Sequence, residues 1–390
     1  VKIFFSVGEP SGDQHAAHLV SELTSRRNDV ECIGYGGPLM RAAGCRIDFE
    51  LTDLAVMGVL KVLPLIQKFR GLVKRAAELF ERERPDAVVL VDFPGFNWWI
   101  ARAAKKAGIP VFYYCPPQLW AWAGWRIRKV KRFVDHVLAC LPFEAEWYQQ
   151  RGVAVKYVGH PFFDEVAEKV LNVRFLKAQR DLPGRRVAIL PGSRTHEVHS
   201  NFPIQIEVMR KLAEEFPDVR FLVASYKESQ RNYCQKLIQQ NAPDLPVELH
   251  VGKISEILEL SECCSMVSGS VSLEVLARGL PAVVQYRGDL VFSFLAASLV
   301  RCRFMSLPNL VADRMIMPEH WIIGSFYLRR TTAKITAHLR GWLSDPMEMA
   351  KAAVPICELR DSLMRTGATK NAADFVLERL APAEQHNRAA

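Results

Sequence analysis

Asp92 closes a run of apolar β-formers, Ala87-Val88-Val89-Leu90-Val91, and the turn residues Pro94 and Gly95 follow it. A buried strand that ends in one carboxylate is how an open α/β sheet presents a reactive acid at its ligand crevice. The same side chain could instead cap the turn, with its oxygens bonded to nearby backbone N–H groups. Asp92 is thus a candidate general base whose role depends on what else converges on it.

Three other segments have the composition of anion or sugar sites. In Leu190-Pro191-Gly192-Ser193-Arg194, Gly192 permits close backbone approach, Ser193 offers a hydroxyl and Arg194 a rigid fork suited to diphosphate oxygens. An ordinary strand-to-helix turn with a surface arginine reads the same way. Ser268-Gly269-Ser270-Val271-Ser272-Leu273-Glu274 reads as strand, glycine, serines and helix start. There the amides of Gly269 and Ser270 could meet a phosphate, and Glu274 could accept bonds from ribose hydroxyls. Ser270 and Glu274 also fit a simple helix cap, and the two uses are compatible. Gly8-Glu9-Pro10-Ser11-Gly12-Asp13 is a tight turn at a helix start, neither GxGxxG nor a P-loop. No DxD triplet occurs, so neutralising a diphosphate is left to amides and Arg194. No metal site and no cofactor are expected.

The elements around these segments alternate strand and helix. Lys2–Val7, Glu31–Tyr35, Ala87–Val91, Val111–Tyr114 and His136–Leu141 read as strands, with helices over Asp13–Arg26, Val59–Arg84 and Trp98–Ala107. The pattern breaks near Gly159-His160-Pro161 and the polar Asn172–Arg186 stretch. It resumes with strands Val187–Leu190, Arg220–Ala224, Val247–Val251, Met266–Ser268 and Ala282–Gln285. Helices are expected over Phe202–Phe216 and Glu228–Asn241, then from Ile254 and from Leu273. The spacing predicts two parallel-sheet lobes facing a cleft, the GT-B arrangement, although other two-lobed nucleotide-binding proteins would read similarly. The divisions expected are 1–165, 166–345, and a helical tail, 346–390, returning to the first lobe.

With 390 residues, 49% hydrophobic and 24% charged, the chain has room for two cores. Nine scattered cysteines with no CxxC pair suit a reducing compartment. No export signal is read, and the apolar run Leu290–Val300 is too short to span a bilayer. The net charge of +9 favours an anionic partner: nucleic acid, acidic membrane or phosphorylated substrate. Pro116-Pro117-Gln118-Leu119-Trp120-Ala121-Trp122 and the basic run Arg126–Arg132 suit a sugar face, a lipid–water boundary or single-stranded nucleic acid. Buried tryptophan beside a solvated helix face would look alike. Leu60, Val62, Leu63, Ile66 and Phe69, interleaved with Lys61, Lys68 and Arg70, resemble an interfacial helix on an anionic bilayer, with ordinary burial as the competing explanation.

As an ordered set these blocks resemble the lipid-A-disaccharide synthase family. They are Gly8–Asp13, Leu54-Ala55-Val56-Met57-Gly58, Asp92–Asn97, Trp120–Trp122, Leu141-Pro142-Phe143-Glu144, Gly159–Pro161, Leu190–Arg194, Ser272–Glu274 and Ser306-Leu307-Pro308-Asn309-Leu310. Two departures are small: Gly95 is Asp in some members, and serines stand in Ser268–Ser272 where many relatives carry Thr-Ala.

The resemblance implies an inverting, metal-independent transferase, peripheral on the cytosolic face of a Gram-negative inner membrane. Its substrates would be UDP-2,3-diacylglucosamine and 2,3-diacylglucosamine 1-phosphate. Asp92 would act as base, and Gly192, Ser193, Arg194, Gly269, Ser270, Glu274 and Asn309 would hold the donor. Glu9, Ser11, Gly12 and Asp13 would shape the acceptor side. An anionic membrane surface is the expected partner, and nucleic acid is not.

Overall fold

Strand β4 (Ala87–Val91) is buried along its whole length, as five consecutive β-formers require in a sheet covered on both faces. It lies at the centre of a seven-stranded parallel sheet with β1 (Lys2–Val7), β2 (Glu31–Gly36), β3 (Arg46–Glu50), β5 (Val111–Tyr114), β6 (His136–Ala139) and β7 (Val155–Tyr157), in the order β3-β2-β1-β4-β5-β6-β7. The computed structural model describes residues 1–54, 66–288, 303–323, 328–363 and 367–381.

Side chains alternate across this sheet with period two. Phe4, Val88 and Leu90 pack against helices Ile66–Glu83 and Pro94–Lys106. Ile3, Phe5, Val7, Val89 and Val91 pack on the other face, against Ala16, Leu19 and Leu23 of helix Pro10–Arg26. Helices of this unit begin with proline at Pro10, Pro38, Pro94, Pro142 and Pro161. There the missing N–H costs nothing and φ is already helical.

A second parallel sheet has six strands: β8 (Arg185–Leu190), β9 (Val219–Ser225), β10 (Val247–Val251), β11 (Cys263–Val267), β12 (Ala282–Gly288) and β13 (Glu319–Ile323), ordered β10-β9-β8-β11-β12-β13. Strand β11 starts three residues earlier than its sequence suggests, because Cys263 and Cys264 serve as small buried hydrophobes.

The chain divides into two compact units, Val1–Asp164 with Arg365–Ala390, and Glu165–Met364. The expectation of a tail from 346 onward needs correction. Helix Pro346–Leu363 packs on helices Val271–Ala277, Leu307–Ala312 and Leu328–Ser344, within the second unit. Only helix Ala368–Leu380 joins the first unit, where Ala372, Ala373 and Val376 complete the core beside helix Pro10–Arg26. Asp164 fixes its start, accepting the N–H groups of Gly367 at 2.6 Å and Thr369 at 3.0 Å. Among the described residues no helix is long and apolar enough to cross a membrane.

Candidate active site

In each sheet the strand order reverses at one place, between β1 and β4 and between β8 and β11. Ligands of open α/β sheets bind outside the carboxyl ends of strands at such a reversal. Gly8–Asp13 follows β1 and Asp92 follows β4, while Leu190–Arg194 follows β8 and Ser268–Glu274 follows β11. The topology thus puts these four segments at the two switch points.

At the first, Asp92 and Phe93 both adopt left-handed backbone, φ 47° and 45°. That costs non-glycine residues about 1 kcal/mol or more each, so other bonds must hold the turn. The Asn97 side-chain amide is shared among the carbonyl oxygens of Asp92 (2.8 Å), Ser6 (3.1 Å) and Val91 (3.3 Å). The Tyr113 hydroxyl also donates to the Asp92 carbonyl, at 2.7 Å, and the Ser6 hydroxyl donates to Asn97 Oδ1 at 2.7 Å. Gly8 has to be glycine here, because a Cβ would come within 2.2 Å of the Phe93 ring. Gly12 lets the first helix run close to Asp92: a Cβ there would stand 3.1 Å from Val7 Cγ1 and 3.8 Å from Asp92 Cβ.

Burial raises the Asp92 carboxyl above its ordinary range, opposed by the Phe93 N–H and by charge on His15. A carboxyl shifted upward is a better proton acceptor than an exposed one. His15 stands edge-to-face on His160, ring centroids 6.2 Å apart. His160 accepts the Phe162 N–H at Nδ1, and burial, then the His15 charge, push its pKa down to about 3. It is a neutral ring.

The other residues expected on the acceptor side divide. Glu9 is half-buried and precedes the first helix, and Ser11 is exposed. Asp13 is not available to a ligand. It is buried and accepts the N–H groups of Gly37 (2.9 Å), Leu39 (3.0 Å) and Met40 (3.2 Å), tying its helix to helix Pro38–Ala42.

At the second switch point Gly192 has φ 116°, and a Cβ there would meet Glu197 at 2.7 Å. Glu197, absent from the sequence expectations, is buried and accepts the amides of Ser193 and Arg194, each at 3.1 Å, and Arg194 Nη1 at 3.0 Å. The turn amides are therefore occupied by the protein's own carboxylate, and the half-exposed Arg194 guanidinium is the group turned to solvent. An acid three residues into the helix was the available signal. Gly269 and Ser270 are exposed. Glu274 is buried, with Oε1 accepting the Ser255 hydroxyl and Arg278 3.6 Å away.

Two further expectations are overturned by side-chain geometry. Asn309 is fully buried with its amide spent internally. It donates to the Met317 carbonyl and Glu319, each at 2.7 Å, and accepts the N–H groups of Ile316 (2.8 Å) and Met317 (2.9 Å). It shapes a loop and presents nothing to a donor. Phe69 packs on Phe96 and Phe93, at 5.4 and 6.2 Å, behind the Asp92 turn, and so belongs to the core. Ile66 is exposed; Leu60, Val62 and Leu63 lie outside the described residues. Among the described residues no group of three potential ligands is placed to hold a metal.

Two parallel sheets, each with one reversal flanked by such turns, have the architecture of the GT-B fold class. Solved structures agree at the level of fold. A UDP-GlcNAc 2-epimerase from Neisseria meningitidis superposes with TM-score 0.65 at 15% identity, over 97% of this chain and 100% of that one. MurG of Acinetobacter baumannii gives 0.58 at 12%, over 97% and 99%. Sequence comparison is more specific. Residues 3–344 match the lipid-A-disaccharide synthetase family. The lipid-A-disaccharide synthase of Myxococcus xanthus is 34% identical over 98% of both chains, and that of Idiomarina loihiensis 35% over 82% of this chain and 84% of its own. The chain belongs to the lipid-A-disaccharide synthetase family, a family of glycosyltransferases.

Proposed function

We propose that this chain transfers 2,3-diacylglucosamine from UDP-2,3-diacylglucosamine to the 6-hydroxyl of 2,3-diacylglucosamine 1-phosphate. The products are UDP and the β-1,6-linked disaccharide 1-phosphate. The observation that carries the reading is the family match over residues 3–344, supported by full-length kinship to proteins named for this reaction. The 2-epimerase likeness concerns fold alone, at 15% identity.

In the proposed step Asp92 takes the proton of the acceptor hydroxyl as its oxygen bonds to the anomeric carbon. The carbon–diphosphate bond breaks on the opposite face, which inverts the configuration. Base assistance of this kind is worth about 10²–10⁴ in rate. The second unit answers the charge that gathers on UDP: Arg194 is the cation, with the exposed Gly269–Ser270 amides beside the entering helix. Gly192 and Ser193 shape the Arg194 turn, and Glu274, one oxygen pinned by Ser255, offers the other to ribose. Glu9, Ser11 and Gly12 line the acceptor side.

Both substrates are acylated, so the first unit docks on an anionic bilayer. Trp99 and Trp125 are 56% and 62% exposed, a large apolar area for a surface to leave in water. The adjoining helix Ile127–Phe133 carries Arg128, Lys129, Lys131 and Arg132, all exposed. Each cation close to an anionic leaflet contributes about 1 kcal/mol. Ile66, exposed at the start of helix Ile66–Glu83, and Leu60, Val62 and Leu63, which precede it in sequence, add the apolar part.

The deciding experiment incubates the protein with both glycolipids and weighs the lipid product. Release of UDP without the acceptor would point to an epimerase-like hydrolysis instead. For docking, flotation with phosphatidylglycerol vesicles should weaken when Trp99 and Trp125 become serine. Unaltered flotation would remove that surface from the reading.

A further inference from the structure

Strand β5 ends at Tyr114, and Cys115 turns the chain with φ 48° into Pro116–Trp122. This segment lies beside the Asp92 turn, since β4 and β5 are paired from Val88–Val111 to Val91–Tyr114. Leu119, Ala121 and Ala123 point inward and are buried, whereas Trp120 between them is half-buried.

One helix, Pro142–Gln149, grips the segment at two points. Its Tyr148 hydroxyl donates to the Pro117 carbonyl at 3.1 Å. Its Glu144 accepts the Trp120 indole N–H at 3.2 Å with one oxygen and the Cys140 N–H at 3.1 Å with the other. Phe143 of the same helix meets the indole edge-to-face at 4.8 Å.

Glu144 is 2% exposed, and no cation is among the groups that set its ionisation. A buried indole N–H needs one acceptor, which a backbone carbonyl could supply; a carboxylate buried without a counter-charge is a costly way to supply it. What the carboxylate adds is a fixed indole plane at the carboxyl edge of the sheet, one strand from the base.

We propose that Trp120 is the platform on which the acceptor's glucosamine ring stacks, and that Glu144 is a positioning residue that sets the plane of the indole. The inference rests on the reaction proposed above and adds to it a binding residue for the pyranose face. Apolar C–H groups of the sugar lie on the ring, so that the 6-hydroxyl is carried toward Asp92 in one orientation; preset geometry spares the entropy of ordering on binding.

Steady-state kinetics in mixed detergent micelles, varying UDP-2,3-diacylglucosamine and 2,3-diacylglucosamine 1-phosphate separately, tests this. W120A should raise the acceptor KM about tenfold and leave the donor KM within about twofold. W120F, which keeps a ring but no N–H, should recover most of that loss. E144Q should raise the acceptor KM about threefold with Trp120 present and have no further effect on W120F. A merely structural Glu144 would instead lower the melting temperature and kcat alike in both backgrounds, and that result would overturn its role. If the wild type forms disaccharide and W120A keeps the acceptor KM, the platform is wrong and the reaction stands. If the wild type forms none, both fall.

Discussion

Asp92 and Glu144 of the first unit and Glu197, Glu274 and Glu319 of the second live in opposite surroundings. On the first sheet Asp92 and Glu144 are shifted upward by burial, and Glu144 has only the Trp120 and backbone N–H groups against it. On the second, Glu197 is bonded to two amides and Arg194, and Glu274 lies against Ser255 and Arg278. Glu319 accepts two amides, the Ser306 hydroxyl and Asn309. The difference is one of partners: burial outweighs the few donors and the His15 charge that face Asp92 and Glu144, whereas Glu197, Glu274 and Glu319 are held by hydroxyls, amides or arginine.

The comparison breaks most sharply at Asp92. Asp92→Asn should lower kcat about 10²–10⁴-fold with the melting temperature little changed. Near-normal turnover in a folded variant would remove the base.

Glu144 gives the next largest effect. Its folded pKa is raised to about 7 from an ordinary 4.5, so the folded protein keeps a proton that the unfolded chain releases. The associated stability is fully present below about pH 4.5 and is lost as the pH rises through about 7, roughly 3 kcal/mol in all. The groups facing it, Trp120, Cys140, Cys115 and Tyr148, supply no positive charge. Urea midpoints at pH 5 and pH 8 should therefore differ more for the wild type than for Glu144→Gln; equal differences would contradict the assignment.

On the second sheet, Arg194→Ala should reduce kcat/KM about 10–100-fold, with weaker UDP affinity in calorimetry. A variant that binds UDP normally would shift the diphosphate contact elsewhere. Gly8→Ala sharpens the contrast at the smallest scale. The added methyl would strike Phe93, and thermal melting should report a loss of about 1–3 kcal/mol. A neutral result would mean that the Asp92–Phe93 turn tolerates displacement.

Much of this was legible along the chain. Strand β4 and helix Glu228–Asn241 stand where their patterns end, and the four candidate segments fall at the two switch points. The edge strands β3, β7 and β13 were not legible. Each is short and mixes charged or polar side chains into a half-exposed run, as in Arg46-Ile47-Asp48-Phe49-Glu50, so no clean alternation survives. Asn309 and Asp13 sat in the right motifs with the wrong task assigned, because a motif does not say whether an amide or carboxylate faces a ligand or its own backbone.

The sequence alone determined the two parallel sheets, the family and the acid at the end of β4, because hydrophobic period, glycine and proline placement and ordered motifs act over a few residues. Only the tertiary structure decided which polar groups remain for substrate. Asp13 is spent on Gly37–Met40, Asn97 on Ser6, and Asp164 on a helix start some 200 residues later. Such bonds form between segments that only folding brings together, and each one made inside the protein removes a candidate from the site.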